Sequence, residues 1–271
     1  MSGKSGRASS RVPQQRPACV FCGSRGSLTE EHVFGDWLRK LGFTGEGLRE
    51  WSTGGVSTRQ KGGPFSKKLK IPCLQCNGVW MSGMEDSAKP LLVEMFKGNR
   101  VELNDVAQRD LARWAFKTVV VFSYVDRQGE RVPAVHRRAF HQTDEPPIGV
   151  VVRIGSASVR AEQFGQQLAE CSFKPRLAQV KFDDGRVVDV PTYTGRFRLL
   201  NVVFDVFGYV SPDPDLHLHV DLPVEVERAL LQIWPVKHPT IWWPPAVTLD
   251  VVGGLSGFEL GEQWSGLPML T

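Results

Sequence analysis

Apolar side chains recur at Leu111, Trp114, Ala115, Val119 and Phe122, with Thr118 among them, at the i, i+3, i+4, i+7 spacing of one helical face. This pattern predicts a scaffold helix over DVAQRDLARWAFKTVVVFSYV, with Asn104 as its N-cap. Upstream, GDWLRKLGF has the period of a short amphipathic helix. A further helix is expected over residues 79–94, kinked or divided by Pro90. STGGVSTRQKGGPFSKKLKIP is broken by glycines and reads as a loop running into a strand. Beyond the scaffold helix the pattern turns to strands: IGVVVRIG, RLAQVKF, the turn DDGR, VVDVP and the alternating RFRLLNVVFDVFGYV. Two helices, near 159–170 and 224–233, interrupt them.

These elements divide the chain into a polar, basic N-terminal arm (residues 1–16), a first module (17–98) and a larger unit (99–271). The larger unit is expected to be α+β with a mainly antiparallel sheet. No run approaches the roughly 18 apolar residues of a membrane span, and the first residues lack an apolar signal region. A soluble, cytoplasmic protein with no membrane partner is therefore expected.

Four of the five cysteines form two pairs, Cys19-Val-Phe-Cys22 and Cys73-Leu-Gln-Cys76. In a chain of this length they fit metal-bound thiolates in a reducing compartment better than a disulfide framework. Four thiolates suit one tetrahedral Zn2+. Closing the 50-residue gap between the pairs carries a chain-entropy term of about 3.5 kcal/mol plus a constant, against about 10–16 kcal/mol from structural zinc. Zinc binding outweighs the closure cost. Cys171 is left over and is expected to be a small buried hydrophobe.

The formal charge of +4 is unevenly spread. Residues 1–80 hold 13 Lys and Arg against 5 Asp and Glu, so the positive field lies in the segment with the cysteine pairs. A polyanion is the natural partner for that segment.

Between the pairs lies SLTEEHVFGDWL, and directly after the second pair stands Asn77. With these residues in place the chain resembles the HNH, or ββα-metal, endonuclease family: C-x-x-C, a strand carrying Glu-His, a second strand, then C-x-x-C-N opening a helix. The resemblance covers roughly residues 17–90. It implies a ββα-metal module clipped by zinc, His32 as general base, Glu31 and Asn77 holding a catalytic divalent ion, and cleavage to 5'-phosphate and 3'-hydroxyl ends. The chemistry of the residues agrees. Histidine takes a proton from water near neutral pH, and an oxygen-ligated Mg2+ or Mn2+ neutralises charge on the phosphate. Neighbouring strand residues point to opposite faces, so Glu31 and His32 need a strand end or a bulge to converge.

The sequence departs from the family pattern at Gly35, where a proline is usual, at Met81, where a third helix-borne ligand is missing, and in lacking an Asn between His32 and Cys73. Glu85 is a candidate for the metal site or for a pair with a lysine. Arg59, Lys61, Lys67, Lys68 and Lys70 are the candidate phosphate contacts, on DNA with RNA left open. Trp80 is expected in the core. Trp242 and Trp243 are either core or base-stacking, and His217 with His219 lacks a convincing third ligand. Oligomeric state is not legible. Two rivals to the nuclease are a non-catalytic zinc-knuckle nucleic-acid binder and a zinc-stabilised protein-interaction module.

Overall fold

The computed structural model describes residues 17–41, 48–53, 56–61, 64–125, 129, 131–157, 169–182, 185–211, 218 and 224–249. The expected basic arm, the helix expected near 159–170 up to residue 168, and both His217 and His219 lie outside them.

The first segment contains β1 (Leu28–His32), the one-turn α1 (Trp37–Lys40), β2 (Leu48–Thr53), β3 (Val56–Lys61) and β4 (Lys68–Cys73). β1 and β4 form a two-stranded antiparallel sheet. A wide π-type turn over Cys76–Met81 then opens α2 (Ser82–Phe96), which continues through Pro90 as one helix. The stretch read as a loop starts within the end of β2 and contains β3, which pairs antiparallel with it. Leu48, Trp51 and Val56 are the apolar residues of the pair, too few for a clear alternation to show in the sequence.

β5 (Val101–Asn104) leads into α3 (Asp105–Phe122), the expected scaffold helix. Asn104 caps it as expected, its side chain accepting the Ala107 N–H at 2.9 Å. After α4 (Ala134–Thr143) come β6 (Val150–Ser156), β7 (Ala169–Lys181), β8 (Val187–Leu199) and β9 (Val202–Tyr209). Next are α5 (Val224–Ala229), β10 (Leu230–Trp234) and β11 (Thr240–Trp243). Two expectations are corrected here. The run RFRLLNVVFDVFGYV is two strands joined at Leu200-Asn201, with Leu200 at φ +52°, and α5 ends at Ala229 where β10 takes over.

The large sheet has seven strands in the order β10-β6-β9-β8-β7-β2-β3, with β11 and β5 paired separately. The pairings are antiparallel except β2 with β7, which run parallel. The protein is α+β with a mainly antiparallel sheet.

α3 lies on one face of this sheet, where Trp114 meets Phe197 and Phe204 edge-on at 5.7 and 5.6 Å between ring centroids. Gly195 lets the helix approach, since a Cβ there would overlap Val119. The division expected near residue 98 falls between α2 and β5, and one buried cluster runs across it, from Cys19 and Phe21 through Trp114 to Trp243. Cys171 is buried in this cluster, as expected of a small hydrophobe.

Candidate active site

The cysteine pairs meet. The Sγ atoms of Cys19, Cys22, Cys73 and Cys76 all lie within 4.8 Å of one another, and Cys22 and Cys73 are 3.7 Å apart. A tetrahedral ion with bonds of about 2.3 Å puts its sulfurs about 3.8 Å apart, so the four residues can hold a metal such as zinc. Burial pushes the Cys19 and Cys76 thiols up, so a nearby cation would be needed to ionise these two, whereas Cys22, despite its own burial, is lowered to about 6 with the help of hydrogen bonds with Ser24. The first pair sits in a turn closed by the Gly23 N–H to Cys19 O at 3.0 Å, with Gly23 at φ +78°. α4 braces it, the Arg137 guanidinium donating to Val20 O.

This cage sets the second pair, and therefore Asn77, against β1. Asn77 Nδ2 donates to Thr29 Oγ1 and to Glu30 O, both at 3.0 Å. Thr29 Oγ1 also donates to Pro72 O on β4 at 3.1 Å. The amide thus ties the turn after the cysteines to the strand bearing Glu31 and His32. The Asn77 backbone carbonyl accepts the Ser82 hydroxyl at 3.2 Å, which leaves the side-chain Oδ1 as the acceptor of the amide.

The register of β1 on β4 places Glu30 opposite Lys70, Glu31 opposite Leu69 and His32 opposite Lys68, with a register shift between Leu28 and Glu30. His32 is the last residue of β1. The two faces differ sharply in chemistry. Glu31 turns inward to α3, its Oε1 3.5 Å from Lys117 Nζ, whereas Glu30 is exposed and pairs with Lys68 at 3.7 Å. Lys68 and Lys70 are exposed on β4.

His32 is half-buried, and its Nε2 is enclosed without a hydrogen-bond partner among the described residues. Asp36 Oδ1 lies 3.7 Å from it, and the same oxygen takes Arg39 at 3.1 Å. Burial lowers the imidazole pKa, Lys68 adds to this, and the opposing pull of Asp36 does not reverse it. These influences favour the uncharged ring. Glu31 moves the other way: burial raises its pKa, and Lys117 only partly offsets the rise.

Glu85 belongs to the interior. Its carboxylate contacts Lys117 Nζ, takes the Trp114 indole N–H at 3.2 Å and also takes the Trp37 indole N–H. Gly35, where the family pattern has proline, leaves room for this group, since a Cβ there would fall on Glu85 Oε2 and the Trp37 ring.

Among the other candidates, Trp80 packs in the core against Phe21 and Phe140, with ring centroids 5.2 and 5.0 Å away, and donates to Asp144 Oδ1 at 2.7 Å. Trp243 is fully buried, and Trp242 is partly exposed with Arg100 over its ring at 4.3 Å. Arg59 and Lys61 fall on β3, at the edge of the large sheet and away from the β1–β4 pair, with side chains outside the described residues. Lys67 is half-buried, and its carbonyl accepts the Val33 N–H at 3.0 Å.

Sequence reasoning missed Lys117. A signal was present: it is the single charge between Trp114 and Phe122 in an otherwise apolar stretch of the scaffold helix. Asp36 and Arg39 were also passed over.

No protein-family model matches the chain, and no curated protein and no solved structure matches it. Among the described residues, no helix is long and apolar enough to cross a membrane.

Proposed function

We propose that the chain is a metal-dependent endonuclease of the HNH kind, hydrolysing phosphodiester bonds in DNA. Zinc at the four cysteines would hold the scaffold. The observation that carries this reading is the state of His32: an imidazole held toward its uncharged form, with an enclosed and unclaimed Nε2, at the end of a strand tied to the Asn77 turn. Such a ring can take a proton from water at neutral pH.

The proposed ligands, the Glu31 carboxylate turned toward α3 and the Asn77 amide oxygen, are of the chemical type that suits a hard cation. A carboxylate offers about four lone-pair sites, and the described contacts to the Glu31 carboxylate come from Lys117 and the His32 amide. With the Asn77 Oδ1 it would hold Mg2+ or Mn2+. When bound, the ion would neutralise charge building on the phosphate and the leaving oxygen. Lys68, opposite His32, and Lys70 would grip phosphates along the strand.

The test is a plasmid-nicking assay with Mg2+ or Mn2+. Wild type should nick, and His32→Ala should lose activity at unchanged zinc content. Absence of product from wild type with either ion would overturn the reading. The Lys117–Glu31 contact favours a second reading, in which an internal cation satisfies Glu31 and the chain binds nucleic acid without cutting it. That protein would show salt-dependent DNA affinity and no product.

A further inference from the structure

The mechanism above uses Glu31 but gives no catalytic part to the two residues buried with it, Lys117 and Glu85. Lys117 is fully enclosed within α3, and its Nζ reaches two carboxylates, Glu85 by direct contact and Glu31 at 3.5 Å. The two acids differ. Glu85 takes three donors, from Lys117, Trp114 and Trp37, and is anchored on both oxygens. Glu31 holds Lys117 only at the outer limit of a hydrogen bond, 3.5 Å, although the two acids are about equally enclosed, with 13% and 15% of their side chains accessible. Two carboxyl groups face one ammonium, so with both ionised the cluster has one negative charge more than Lys117 neutralises, and the acid with spare acceptor capacity is Glu31.

Packing does not demand this arrangement, because apolar side chains of similar volume fill such sites at least as stably as buried ions. We propose that Lys117, anchored by Glu85, is a positioning residue for Glu31: it fixes the carboxylate's rotamer and leaves the cluster's surplus charge directed at the divalent ion. The proposal rests on the nuclease reading for Glu31's role. It makes α3, which belongs to the larger expected unit, a working part of the site.

Lys117→Met alone would strand the buried Glu85 charge and risk unfolding. The informative variant is therefore Lys117→Met with Glu85→Gln, which removes one charge of each sign and keeps the cluster's net charge. Two measurements on zinc-loaded full-length protein decide the matter: Mn2+ affinity by electron paramagnetic resonance titration, with Glu31→Gln as control, and kcat and KM for plasmid nicking. The double variant should keep its zinc and its KM for DNA, bind Mn2+ about 10–100-fold more weakly and lose kcat by a similar factor, as supporting groups around a metal ligand typically do. An unchanged Mn2+ affinity and kcat with only a lowered melting temperature would overturn the proposal and make the cluster purely structural. A wild type that binds Mn2+ through Glu31 but cuts nothing would overturn the nuclease reading, with the Mn2+ comparison still judging the positioning role. A wild type that binds no Mn2+ would overturn both.

Discussion

The β1–β4 pair and the seven-stranded sheet are held by different means. The small sheet has few interior apolar residues of its own, and a cage of four sulfurs clips it to the turn that opens α2. The large sheet carries α3 on an aromatic layer of Trp114, Phe197, Phe204 and Phe122. A two-stranded sheet is too small to stabilise itself, so a metal at the four sulfurs would supply what apolar burial supplies to the larger one. The candidate chemistry sits on the part clipped by the cysteines, while the buried cation that meets Glu31, Lys117, comes from the packed part.

The sharpest way to break this contrast is to remove the metal. Chelation, or Cys73→Ser, should release on the order of 10 kcal/mol of binding free energy. Hydrogen exchange should then speed up in β1, β4 and the Asn77 turn while β6, β8 and β9 stay protected. Equal loss in both sheets would mean that they are not separately supported.

Next in size is the aromatic layer. Trp114→Ala should cost about 3–5 kcal/mol, with thermal unfolding shifted down by roughly 2–4 °C for each kcal/mol and zinc content unchanged. A loss of zinc in that variant would show that the layer also supports the cage.

A pH titration sharpens the picture of the packed part. His136 on α4 is buried, its Nδ1 2.8 Å from the Tyr193 hydroxyl, and burial lowers its pKa from 6.5 to about 4. Between those values the unfolded chain binds a proton that the folded chain refuses, so acid favours unfolding. The contribution of neutral His136 is complete above pH 6.5 and should fall by about 3 kcal/mol as pH drops to 4. Denaturant melts at several pH values should show this slope in wild type and its loss in His136→Gln.

Smaller still is the cap of α3. Asn104→Ala should cost about 1 kcal/mol in the same melts, without altering DNA binding. The smallest effect on stability belongs to Lys68→Ala, close to zero, but it should lower the salt slope of DNA binding by about 1.

Much of this was readable along the chain. Asn104 and the periodicity of α3 were legible because capping and a 3.6-residue repeat are local properties. The sulfur cage was legible because its spacing repeats. The β8–β9 reversal was not, since Leu200-Asn201 has none of the Gly or Pro that usually marks a turn, and the β2–β3 pair lacked apolar alternation. Phosphate contacts were read by charge along one stretch, but the fold sends Arg59 and Lys61 to a different sheet from Lys68 and Lys70. Most hidden was Lys117, because a salt bridge spanning 86 residues depends on tertiary packing that no local pattern encodes.

The parallel seam between β2 and β7 has one more consequence. The backbone leaves the first cysteine pair, contributes an edge to the large sheet and returns to the second pair, so an ion at the sulfurs would close a ring whose far side is hydrogen-bonded to β7. A fragment cut at residue 98 would carry that ring with a bare strand edge where β7 had been, inviting self-association.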